Sequence, residues 1–124
     1  MAITRTYIGR CQYNFGIDGG AQTAITPANN FNLPIGATIL GAWTDIKTTL
    51  ASDGSATIAL AIGGVTLNAA ADFDNAEYVA IDVHRARTVA PALTTSAGSV
   101  VVTVATAPLT GGVMDIYVEY LLAD

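Results

Sequence analysis

Apolar and polar residues alternate with a period of two along most of this chain, the signature of half-buried strands. From residue 3 to 15, Ile3, Arg5, Tyr7, Gly9, Cys11, Tyr13 and Phe15 fall on one side and Thr4, Thr6, Ile8, Arg10, Gln12 and Asn14 on the other. The core face is the side with Tyr7, Cys11, Tyr13 and Phe15. Arg5 interrupts that side at its start, which makes residues 1–6 a candidate extended N-terminal arm. Asp18-Gly19-Gly20 signals a turn, and a short strand from Ala21 to Thr26 ends at Pro27, which has no N–H for a ladder.

The longest patterned stretch runs from Leu33 to Ile62 and reads as a hairpin. Its turn is Ser52-Asp53-Gly54-Ser55, because Asp-Gly tolerates the positive φ of tight turns. The returning strand places Ala56, Ile58, Leu60 and Ile62 on one face. The outgoing strand mixes apolar and polar residues on both faces, so a bulge or bend is expected within it. Leu40, Ile46 and Leu50 are expected inward, and Trp43, Asp45 and Lys47 outward. A second hairpin is expected from Ser99 to Leu122, turning at Pro108-Leu109-Thr110-Gly111-Gly112. Its last strand sets Met114, Ile116, Val118 and Tyr120 against Asp115, Tyr117 and Glu119. Between the two pairs, Asn68 could cap a turn or so of alanines. Glu77 to Val83 returns to strand, and residues 84–92 form a strand or loop ending at Pro91. About eight strands separated by turns imply an all-β sandwich or barrel.

Composition adds a reason to expect assembly. The 124 residues fit one domain, 1–124. Only 12% are charged, where globular domains carry roughly 25%, and a charge-poor surface is best explained by neighbours that cover it. The net charge of −5 comes with five cations, Arg5, Arg10, Lys47, Arg85 and Arg87. That is too few to neutralise a phosphate backbone, so nucleic acid is not an expected partner. Residues 54–71 and 88–114 are uncharged but broken by Gly, Pro and hydroxyl residues, so no membrane span is expected. Cys11 is the single cysteine, which rules out an intrachain disulfide and fits a reducing compartment. The first residues, MAITRTYIGRCQYNF, lack the apolar core of a signal peptide.

Catalytic chemistry is not expected. His84 is the one histidine, and no Gly-x-Ser-x-Gly elbow accompanies it. One His and one Cys do not make a zinc site. The Asp72–Glu77 stretch begins like a calcium loop, yet Glu77 stands where glycine is needed and Val83 where the bidentate glutamate is needed. No phosphate-binding glycine loop is present. No cofactor, metal or catalytic residue is therefore assigned. What remains is an interaction surface, for which the candidates are Arg5, Trp43, Asp45, Lys47, His84, Arg85 and Arg87. The His84-Arg85-Ala86-Arg87 cluster could meet the acidic loop of an adjacent subunit, fixing register more than strength. A glycan pocket would draw on Trp43, Tyr117 and Tyr78.

Taken together, the early aromatic strand, Leu33-Pro34-Ile35-Gly36-Ala37-Thr38-Ile39 before Trp43-Thr44-Asp45-Ile46, Ser55-Ala56-Thr57-Ile58-Ala59-Leu60, and Pro108-Leu109-Thr110-Gly111-Gly112 before Asp115-Ile116-Tyr117-Val118-Glu119-Tyr120 resemble a group of small structural proteins of tailed-bacteriophage virions. The resemblance implies a jelly-roll-like antiparallel sandwich, a homotrimer, and a non-enzymatic role in capsid cementing or decoration. Its implied partners are further copies of itself and the major capsid protein or other virion proteins, in a virion assembled in the bacterial cytoplasm. It carries over no catalytic residue. The rival expectation is a tail, baseplate or fibre module that binds a host-surface glycan.

Overall fold

A computed structural model describes residues 4–75, 78, 85–87 and 92–123. The strands are β1 (Thr4–Asn14), β2 (Ala24–Ile25), β3 (Asn32–Leu33), β4 (Thr38–Ser52), β5 (Thr57–Ile62), β6 (Val65–Asp72), β7 (Arg85–Arg87), β8 (Ala92–Leu93), β9 (Gly98–Ala105) and β10 (Leu109–Ala123). One helical turn, α1 (Phe15–Asp18), follows β1; the Asn14 side chain caps it at Gly16 N–H. Every strand pairing is antiparallel.

The first sheet has the order β1-β10-β4-β7, with β8 also on β4; the second has the order β2-β9-β5-β6, with β3 also on β9. Since β2 and β3 share β9, and β7 and β8 share β4, the ten segments fill eight strand positions. Among those eight, first pairs with last, second with seventh, third with sixth and fourth with fifth. This wrapped order is the jelly roll, two Greek keys folded into a sandwich. A side chain fills the gap between β2 and β3: Asn30 Nδ2 donates to Val100 O at 2.8 Å, and Val100 N donates back to Asn30 Oδ1 at 3.2 Å. One amide thus stands in for a missing stretch of edge strand.

The two long hairpins expected from the sequence are not hairpins. β4 belongs to the first sheet and β5 to the second, so Ser52–Ser55 crosses between sheets. β9 and β10 divide in the same way. The latter corner lies at Thr106–Pro108, with Thr106 at φ 72°, and β10 has already begun at Leu109. The Asp-Gly and Gly-Gly signals mark a change of direction, and direction alone does not say which strand receives the chain. The tight hairpin is instead at Gly63-Gly64, which joins β5 to β6 with Ile62 opposite Val65 and positive φ at both glycines. That pairing also draws Asn68-Ala69-Ala70-Ala71 into β6, overriding the helical turn expected there. Asn68 does not cap; its Nδ2 donates to the Tyr78 hydroxyl at 2.6 Å. The strand expected from Glu77 to Val83 lies outside the described residues except for Tyr78, which is fully buried.

The core is the space between the inner faces. β1 supplies Cys11 and Tyr13, β4 supplies Ile39, Ala42, Ile46 and Leu50, and β10 supplies Met114, Ile116 and Val118. They pack against Ile58, Leu60 and Ile62 of β5 and Val100, Val102 and Val104 of β9. Each fully buried large apolar side chain contributes about 1.5–3 kcal/mol relative to exposure. The bulge expected in β4 is present at Leu40: Gly41 pairs with Glu119, and Ile39 with Tyr120. The extra residue turns Ile39 inward and leaves Leu40 only half-buried, so Ile39 takes the core place expected of Leu40. At the start of β1, Thr4–Thr6 pair with Ala123, Leu122 and Leu121, so residues 4–6 are ladder. Tyr7 points to the inner side but remains 38% exposed, near the end of the sandwich. Phe15, expected on the strand's core face, sits in α1 and packs against the core from its edge.

Candidate interaction surface

The outer face of the first sheet gathers most of the chain's unusual side chains. Cross-strand register arranges them in rows. Arg10, Tyr117 and Trp43 form one row, and Gln12, Asp115 and Asp45 form the next. Trp43 and Tyr117 stack with centroids 5.7 Å apart and planes 19° from parallel. Both are half-buried. One face of each ring is therefore taken by the other, a geometry worth about 0.5–1.5 kcal/mol beyond area burial.

Below that pair lie two carboxylates that are almost inaccessible although they sit on the outer side of a sheet. Asp45 is 4% exposed and Asp115 is 2% exposed. Arg10 Nη2 donates to Asp115 Oδ1 at 2.9 Å, and Gln12 Nε2 donates to the same oxygen at 3.0 Å. The hydrogen bond to Asp115 raises the Arg10 guanidinium above its ordinary pKa despite the opposing effect of burial. Lys47 Nζ lies 2.9 Å from Asp45 Oδ2. A second irregularity makes this contact reachable: Met114 pairs with Ile46 and Val113 with Thr48, so Lys47 is the looped-out residue of the ladder.

On the opposite side of the same sheet, burial dominates. It pushes the Cys11 thiol up to about 12, with Asp18 and Asp115 adding to the effect, so the thiol is inert at neutral pH. Burial also pushes the Tyr13 hydroxyl up to about 12, with Asp18 contributing. Tyr13 donates to Gly19 O at 2.6 Å, tying α1 to β1.

Of the residues singled out in the sequence, Trp43, Asp45 and Lys47 lie together on this face, Asp45 buried where exposure was expected. The β7 backbone runs beside them, with Ala86 opposite Trp43, Arg85 opposite Thr44 and Arg87 opposite Ala42. Arg5 is remote, opposite Leu122 near the end of the β1–β10 ladder. His84 lies outside the described residues. Tyr78, proposed from sequence for a glycan pocket, is buried and bonded to Asn68. Sequence reasoning missed Arg10, Gln12 and Asp115 as members of this face. The Asp115-x-Tyr117-x-Glu119 alternation put Asp115 outward, but only the register across β1, β10 and β4 brings it to Arg10 and Asp45. Among the described residues, no group of three or more His, Cys, Asp or Glu side chains is placed to hold a metal ion. Among the described residues, no helix is long and apolar enough to cross a membrane.

The chain matches no known protein family and no curated protein. It is similar in structure to a chain of the cyanophage Pam1 capsid asymmetric unit, with a TM-score of 0.67 and 20% sequence identity. The likeness covers 96% of this chain and 86% of that one. At that identity it establishes a shared fold.

Proposed function

We propose that this chain is a non-enzymatic structural protein of a bacteriophage virion, one that cements or decorates the head shell as a homotrimer. The observation that carries the proposal is the near end-to-end likeness of its jelly roll to a chain from a phage capsid. Composition supports it independently, because a surface with so little charge is suited to lying against neighbours. In this reading the protein acts by contact and not by chemistry. Its partners are further copies of itself and the shell protein beneath, and it would join the virion during assembly in the host cytoplasm.

The test is to purify particles of the phage that encodes the chain, quantify it against the major shell protein, and locate it by cryo-electron microscopy. The expected result is a copy number comparable to that of the shell protein and density on the head in three-fold clusters. A few copies confined to the tail would replace this reading with a tail or fibre module, and absence from the particle would overturn any virion role. Sedimentation equilibrium of the isolated protein tests the trimer separately.

A further inference from the structure

The strand edges of this sandwich are guarded unequally. β2 and β3 are only two residues long. β6 is longer, but its pairing with β5 is broken by two register shifts and Asn68 is tied to Tyr78. These are the devices that keep edges from pairing with foreign strands: shortness, bulges and covering groups. Among the described residues, the first half of β1 has neither shortness, bulge nor cover, and Arg5 is its one charged side chain. It pairs with β10 in one unbroken register over eleven residues. Arg5, Thr6, Tyr7 and Ile8 are all exposed, Ile8 at 58%.

The parity of its hydrogen bonds shows which groups face outward. Gln12 N donates to Asn29 O, and Asn14 N donates to Asp18 Oδ2; both acceptors lie away from β10. In an unbroken antiparallel strand the direction alternates, so Thr4, Thr6 and Ile8 also point their peptide groups away from β10. Among the described residues those groups meet no backbone partner. The second half of the edge is closed by Asn29 and Asp18; among the described residues the first half is open.

We infer that this open half-edge pairs with the same half-edge of a second copy, antiparallel about a two-fold axis at Thr6. Antiparallel pairing sets outward-pointing residues against each other. Centred on Thr6, it places Thr4 opposite Ile8, Arg5 opposite Tyr7 and Thr6 opposite its own copy, using the open span from end to end. Centring one residue earlier opposes Arg5 to Arg5, which like-charge repulsion disfavours. Centring one residue later brings Arg5 to Gly9, where the Phe31 ring already occupies the space of a Cβ. The Thr6 register also matches a cation to a ring. Tyr7 stacks on Tyr120 at 5.6 Å, on its β10 side, which leaves the other ring face turned to the open edge and to the arriving Arg5. An isologous contact of this kind is closed and self-complementary, and is compatible with a three-fold contact elsewhere on the molecule. It rests on the edge geometry alone and not on the proposed place in the virion.

The test uses the full chain in sedimentation velocity over a concentration series, with amide exchange read at Thr6 and Ile8. Association that pairs chains, or pairs larger assemblies, is expected together with slowed exchange at both amides. Thr6→Pro removes the outward N–H at the centre of the pairing, a position where an edge strand accepts proline, and is expected to abolish the association and the slowed exchange at Ile8 while the protein stays folded by circular dichroism. Thr6→Cys supplies a second route: a short bis-maleimide is expected to join two copies through two thioether bonds, whereas Ile17→Cys, exposed on α1, is not joined. Cys11 is buried and gives no background. Concentration-independent exchange at Thr6 and Ile8, undiminished pairing of Thr6→Pro, or absence of a Thr6→Cys dimer would overturn the inference. Particle composition is a separate measurement, so failure here leaves the virion proposal standing or falling on its own data.

Discussion

Asp45 and Asp115 are direct partners across the β4–β10 ladder, and both carboxylates are almost wholly buried on the outer side of their sheet. Like charges directly opposed on a ladder are destabilising. Here each is offset by its own cation, Lys47 for Asp45 and Arg10 for Asp115, approaching from opposite flanks. Arg10→Ala is therefore expected to leave Asp115 short of a charge partner beside a second carboxylate. Removing one partner of a fully buried pair costs about 3–5 kcal/mol. The Arg10 side chain is 44% exposed, and solvent screening lowers the expectation to about 1–2 kcal/mol. Urea unfolding measures it, and Asp115→Asn in the Arg10→Ala background should recover part of the loss. An unchanged midpoint in Arg10→Ala would mean that the pair is ornamental.

Stability should fall at alkaline pH, and the direction follows from two buried groups. Cys11 and Tyr13 are neutral when protonated, and folding raises both to about 12 from ordinary values of 9.0 and 10.0. The folded chain thus holds these protons more tightly than the unfolded chain. Their contribution is whole below pH 9.0 and declines as pH rises toward about 12. Each unit of separation corresponds to about 1.4 kcal/mol, so the loss is steep. Chemical denaturation at a series of pH values should show onset near pH 9.0 for the native chain, moving toward 10.0 in Cys11→Ala. A flat profile between those values in the native chain would contradict it.

Periodicity made the strands and their faces legible, because a half-buried strand must alternate. The core faces of β5 and β10 follow directly from Ile58, Leu60 and Ile62 and from Met114, Ile116 and Val118. Connectivity was not legible. Ser52-Asp53-Gly54-Ser55 has hairpin chemistry, yet it carries the chain to the other sheet, since local turn preference does not encode which edge is free to receive a strand. The outward grouping of Trp43, Asp45 and Lys47 was readable from alternation plus the expected bulge. Arg10, Gln12 and Asp115 were not, because they join that face only through the pairing of β1 with β10, about a hundred residues apart in sequence.

Two glycines should respond in opposite ways to the same substitution. Gly63 has φ 56°, and a Cβ there would lie 2.8 Å from both Ser96 O and Thr94 Cγ2. Gly63→Ala is expected to lose about 1–3 kcal/mol through backbone strain and the clash. Gly41 pairs with Glu119 on the outer face, and a Cβ there meets nothing within 4 Å. Gly41→Ala should be neutral or gain about 0.4–1 kcal/mol, because alanine restricts the unfolded chain. Thermal melts of the two variants check the contrast, and equal destabilisation would show that the space beside Gly41 is not open.

Trp43 gives the surface proposal a direct optical test. It is the one tryptophan in the chain, half-buried and stacked on Tyr117 on the outer face of the first sheet. If this face lies against a neighbour or the shell, assembly removes the remaining water from the indole. Emission should then move to shorter wavelength, and acrylamide should quench it less. The partner of that face would have to accept both a flat aromatic pair and the Arg10–Asp115 and Lys47–Asp45 pairs beside it, which favours a polar rim around an apolar centre. Trp43→Ala should consequently lower occupancy on shells far more than Lys47→Ala, because a buried aromatic contributes more than a rim charge. Trp43→Phe, which keeps a ring for Tyr117, should fall between them. Unchanged emission on fully occupied shells would place the contact elsewhere, on the edge of β1 or the outer face of the second sheet. There Ala59, Ala61, Val101 and Thr103 present a flat, uncharged alternative.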